Sequence, residues 1–120
     1  MNLMVFALAV VMPTMQESKI EAATRIGKQE LAIARERYDQ AKHSYEKDRT
    51  EANKRELIAE SLNYGNTMMN SPVLPPMEKY PGSLRLFRET LTLDPANSSA
   101  NDNIALIEGI YESLGKPIPE

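Results

Sequence analysis

From Glu17 to Asp48 the chain carries no proline and a single glycine, Gly27. Its small and apolar residues keep one rhythm through that stretch. Ile20, Ala23, Gly27, Leu31, Ala34, Tyr38, Ala41 and Tyr45 follow one another at steps of three and four, the α-helical period. Between them stand Lys, Glu, Arg, Gln and Asp, which suit a solvated helix face. A strand would need alternation at every second residue, which is absent. The segment is therefore expected to be helical and to hide one stripe. Unbroken, it would be on the order of 48 Å long at 1.5 Å per residue. A hairpin turning near Arg35–Arg37 is the alternative. No Gly, Pro or Asn marks a turn there, so one long helix is favoured.

The remainder reads as three further helices. Asp48–Asn53 is the first break, with Thr50 or Asp48 as the cap of a helix from Glu51 to Met69. Leu57, Ile58, Ser61, Leu62, Gly65 and Met68 or Met69 form its inner face. Asn70–Met77 contains three prolines and is expected to be a loop. The third helix is expected from Gly82 to Leu93, with Leu84, Phe87 and Leu91 inward, and Asp94-Pro95 ends it. Asn97, Ser98 and Ser99 offer caps for a fourth helix from Ser99 to Leu114. Its apolar positions are Ile104, Leu106, Ile107, Ile110, Tyr111 and Leu114. Gly115 fits the position just past a helix end, and Pro117 and Pro119 forbid continuation. The expected fold class is all-α.

Tyr80-Pro-Gly-Ser83-Leu-Arg-Leu-Phe87, closed by Asp94-Pro95, has an internal echo in Tyr38-Asp-Gln-Ala41-Lys-His-Ser-Tyr45. Ser83 matches Ala41 and Phe87 matches Tyr45. This pattern resembles the second helix of a tetratricopeptide (TPR) repeat, in which small residues let the preceding helix approach and a proline turns the chain into the next repeat. The two copies lie 42 residues apart, against about 34 in that family, and the Pro-rich loop would absorb the excess. Leu62-Asn-Tyr64-Gly65-Asn66 and Ile110-Tyr111-Glu-Ser-Leu114-Gly115 resemble stretches of its first helix. The resemblance implies an antiparallel helical hairpin array of about 1.5–2 repeats with a long first helix, spanning residues 17–116, with the last helix as a terminal cap. Residues 117–120 would be a short tail.

With 120 residues the chain is one domain at most. Its 14 Lys and Arg stand against 17 Asp and Glu, a net charge of −3, which argues against a nucleic-acid-binding surface. Cysteine is absent, so disulfides and thiolate chemistry are excluded. His43 is the single histidine and sits among Lys, Ser and Glu, without the other members of a triad or metal cluster. No glycine-rich phosphate loop is present. Glu46 with Asp48 and Glu56 with Glu60 have basic neighbours at helical spacing and read as surface charges. Asn97-Ser-Ser99 matches a glycosylation pattern but is better explained by capping. Neither an enzyme nor a cofactor is expected.

Residues 1–12 form an apolar run without a charged side chain. The run is too short to span a bilayer as a helix and fits the core of an export signal, although the usual preceding positive residues are missing. An apolar arm folded onto the domain and a truncated membrane anchor are the alternatives; only a retained segment would bring the protein to a membrane. Export to the periplasm or outside the cell is expected, with a cytoplasmic location as the alternative. Residues 1–16 are then expected to be dispensable for folding.

What is left is surface for a protein or peptide partner. First helices of TPR proteins line a concave groove. By position, Asn63 and Asn66 on the second helix and Asn101 and Asn103 on the fourth would face it, each offering donor and acceptor to a peptide backbone. The competing reading of Asn101 and Asn103 is ordinary first-turn capping. Met69 and Leu74, beside the prolines, form a second candidate surface, against a loop simply folded over the gap between helices. The expected function is a TPR-type scaffold or adaptor. A self-associating helical protein that pairs through its long first helix, a homo-oligomer, is the alternative.

Overall fold

The computed structural model describes residues 17–120. The apolar N-terminal run, with the export and dispensability expectations attached to it, lies outside them. The described residues are all helical, without a strand: α1 Lys19–Lys47, α2 Glu51–Met69, α3 Pro76–Leu93 and α4 Ser98–Ser113. The long first helix is unbroken through Arg35–Arg37.

Three of the four helices start on a side-chain cap. Ser18 Oγ accepts from the Glu21 N–H, Thr50 Oγ1 from the Asn53 N–H, and Asn97 Oδ1 from the Ala100 N–H, at 3.1, 3.1 and 2.9 Å. Each satisfies one of the donors that a helix start leaves orphaned. At the other end of α4, Gly115 adopts φ +64°. Its N–H donates to Glu112 O and the Lys116 N–H to Tyr111 O, both at 3.0 Å. This paired closure needs a left-handed residue, which glycine supplies without a Cβ penalty.

α3 corrects the expected boundary. It begins at Pro76, six residues before Gly82, so part of the Pro-rich segment is helix. Pro76 occupies the first helical position, where a missing N–H costs nothing. Pro81 lies inside the helix. It removes only the ladder bond to the carbonyl of Met77, a residue that is 87% exposed, so water can take the vacant acceptor. α4 runs from Ser98 to Ser113, with Leu114 as its C-cap.

Consecutive helices pack as hairpins: α1 on α2, α2 on α3, α3 on α4. The connection Asp48–Thr50 is too short for anything but an antiparallel pair. The core has two parts. Tyr38 and Ala41 of α1 meet Leu57 of α2 and Leu86 of α3. Leu84 and Phe87 of α3 meet Ala100 and Ile107 of α4, with Leu62 and Met69 of α2 at the edge. α2 and α3 thus form a shared spine between the outer helices. Their close approach is set at Gly65, where a Cβ would stand 2.7 Å from the Phe87 ring, and at Gly82, where it would overlap Met68 Sδ. Ser61 and Thr90 are buried and return their hydroxyls to Leu57 O and Leu86 O one turn back, so neither leaves a hydroxyl donor unsatisfied.

Two further expectations are corrected. Ile20 and Ala23 do not join the buried stripe, and Ile20 is 80% exposed. α1 has 29 residues to the 19 of α2, so about 15 Å of it overhangs its neighbour. Among the described residues, Val73 and Pro72 from the α2–α3 connection reach this overhang, against Gly27. The C-terminal residues are also more than a free tail. Ile118 packs against the second core cluster, and Arg88 Nη1 donates to Pro119 O at 2.8 Å.

Candidate protein-binding surface

α2 and α4 present the asparagines on one side of the array. Asn66 and Asn103 are brought together, with Asn103 Nδ2 donating to Asn66 Oδ1 at 3.0 Å, and both are half-buried. This bond leaves the Asn66 amide N–H₂ and the Asn103 Oδ1 without side-chain partners among the described residues. Exchanging both amide assignments would reverse donor and acceptor but again leave one of each. Asn63 lies one turn earlier on α2 and is exposed. On α4, Leu106 follows Asn103 by one turn and is 56% exposed. The surface therefore combines a cross-helix amide pair, a free amide and an apolar side chain.

The other sequence-derived residues fall elsewhere. Asn101 is engaged locally: its Nδ2 donates to Asn97 O at 3.0 Å and Pro95 O at 3.4 Å, which ties down the turn before α4. Met69 is half-buried and packs against the α3–α4 cluster, so little of it faces outward. Leu74 is half-buried in the connection whose Pro72 and Val73 cover Gly27. His43 is exposed on α1. Among the described residues no three His, Asp or Glu side chains converge as a metal site would require. No helix among them is long and apolar enough to cross a membrane.

One polar cluster escaped the sequence reading. Tyr38 on α1 donates its hydroxyl to Glu89 Oε2 on α3. Lys42 Nζ donates to the same hydroxyl at 3.3 Å and pairs with Glu89 Oε1 at 3.5 Å. The Tyr38 ring lies 5.6 Å from that of Tyr64, and Lys42 Nζ lies 5.6 Å from the Tyr38 centroid. Burial, then the bond to the Glu89 carboxylate, pushes the Tyr38 phenol up to about 12. The Tyr38 bond, first, holds the Lys42 ammonium above its ordinary value. The cluster floors an open groove of about 380 Å³ between α1 and α3, flanked by Arg35 and Arg85. It ties the first helix to the third across the second. Local sequence carries no sign of it, because its partners are 51 residues apart.

No protein-family model matches the chain, and no curated protein and no solved structure matches it either.

Proposed function

We propose that this protein is a protein–protein interaction scaffold, a short TPR-type array that holds an extended segment of a peptide or protein partner on its α2/α4 face. The observation that carries this reading is the Asn66–Asn103 pair. It locks two carboxamides in place and leaves one donor and one acceptor pointing from a preorganised position. An extended peptide offers the complementary N–H and C=O at regular intervals. Preorganisation matters because each side chain that must be immobilised on binding costs about 0.5–1.5 kcal/mol. Asn63 extends the polar row, and Leu106 supplies the apolar contact that amides lack. The hairpin array supports the family resemblance in architecture, and the Gly65–Phe87 approach is the kind of contact that such repeats use. The apolar run of residues 1–12 supports export, which fractionation of host cells tests.

Binding is tested with peptides selected from a random library against the full chain. Asn103→Ala and Asn63→Ala are expected to weaken the selected peptides about tenfold each, the loss of one or two hydrogen bonds. Melting temperature should change little for the exposed Asn63. Selected peptides that bind both variants unchanged would defeat this reading.

A further inference from the structure

Among the described residues, the array is covered at one end and not at the other. At the α4 end the chain covers itself, with Ile118 on the core cluster and Pro119 O held by Arg88. At the α1 end no described residue does the same. Ile26 and Ile33 stand on the outer flank of α1, 46% and 51% exposed. They are seven residues apart, hence on one line along the helix, about 100° round from the buried stripe of Gly27, Ala34, Tyr38 and Ala41. Glu30 and Arg37, also seven apart, run beside that line. Neither takes part in an ion pair among the described residues. Ends of helical arrays are ordinarily finished by a polar face; the outer face of α1 is polar at Arg35, Glu36, Asp39 and Gln40, and Ile26 and Ile33 interrupt it.

We infer that the α1 flank is the contact for a second copy of this chain, antiparallel about a two-fold axis that passes beside Ile33. The charges choose the register. A closed two-copy contact must be self-complementary, each residue meeting its reciprocal partner. If Ile26 faced Ile33 of the second copy, the axis would fall beside Glu30, and two Glu30 carboxylates would meet. With the axis at Ile33, Ile33 meets its own copy, Ile26 meets the aliphatic stem of Gln40, and Glu30 meets Arg37 twice. That arrangement covers the isoleucines and pairs Glu30 with Arg37, which in its own chain borders a groove shared with Glu56 and Glu60, while the competing register is penalised by repulsion. A head-to-tail stack on α4 is opposed by the tail that covers that end. This inference does not rest on peptide binding, which is placed at Asn63, Asn66, Asn103 and Leu106 of α2 and α4.

The test is solution mass of the full chain against concentration, with charge reversals. The wild type is expected to dimerise. Glu30→Arg and Arg37→Glu should each weaken the dimer about tenfold or more, because both reciprocal pairs become like-charged. Mixing the two variants should restore association as heterodimers, since position 30 of either chain then faces an opposite charge at position 37 of the other. The chain has no cysteine, so placement can be read directly. Ile33→Cys should be joined between copies by a short bismaleimide. Ile26→Cys should not, since its two copies would lie about 21 Å apart along the helix direction. A monomer at every accessible concentration would overturn the inference. So would association indifferent to both reversals, as pairing through the apolar N-terminal run would be.

Discussion

Replacing Gly65 with alanine sets two effects of similar size against each other. In an exposed helix interior the change is favourable by about 1 kcal/mol, because alanine loses less backbone entropy. At Gly65 the added Cβ would stand 2.7, 3.0 and 3.2 Å from three atoms of the Phe87 ring. Real Cβ contacts do not sit so close, so something must move. Phe87 is fully buried among Leu84, Ala100 and Ile107. It cannot swing aside as an exposed chain would, and overpacking of this kind costs about 1–3 kcal/mol. The expected balance for Gly65→Ala is a net loss of up to about 2 kcal/mol. At roughly 4 °C per kcal/mol for a chain of this size, the melting temperature falls by up to about 8 °C. Gly109, on α4, supplies the control: nothing lies within 4 Å of its Cβ position. Gly109→Ala should raise the melting temperature by a few degrees through the same propensity gain. Adding Phe87→Leu should relieve the Gly65→Ala clash, giving a favourable coupling of at least about 0.5 kcal/mol in a double-mutant cycle. Chemical or thermal denaturation followed by circular dichroism reads the wild type and the four variants. If Gly65→Ala stabilises as much as Gly109→Ala, the close-approach account of the α2–α3 spine is wrong.

Three other outcomes are expected. The Tyr38 phenol is raised in the folded protein, so its contribution is complete below its ordinary value of about 10 and is lost as pH rises through about 12. That loss is worth about 2 kcal/mol, and urea titrations between pH 9 and 12 should show a shallower alkaline decline for Tyr38→Phe than for the wild type; parallel curves would remove Tyr38 from the account. Gly115→Ala should cost about 1 kcal/mol, because φ +64° is strained for any residue with a Cβ, even though nothing crowds the site. Truncation before Ile118 should lower the melting temperature by several degrees through lost apolar burial and the lost Arg88 bond, and an unchanged melt would show that the tail is not part of the packed array.

The helices were legible because helix formation is largely a local matter. Caps, breakers and three–four periodicity act over a few residues, and Ser18, Thr50, Asn97 and Gly115 stand where their chemistry requires. The start of α3 was not legible, since proline ordinarily ends a helix, yet Pro76 takes the first helical position and Pro81 lies inside the helix, where the carbonyl it frees belongs to the exposed Met77. Periodicity placed Ile20 and Tyr38 on one stripe. Burial separated them, because the length of α2 decides how much of α1 is covered. Among the candidate binding residues, asparagine at a helix start reads equally as cap or ligand. Tertiary geometry joined Asn103 to Asn66 and gave Asn101 to the turn before α4. The Tyr38–Lys42–Glu89 cluster joins residues that no local pattern relates, and it exists because α2 and α3 pack closely enough, at Gly65 and Gly82, for α1 and α3 to reach each other.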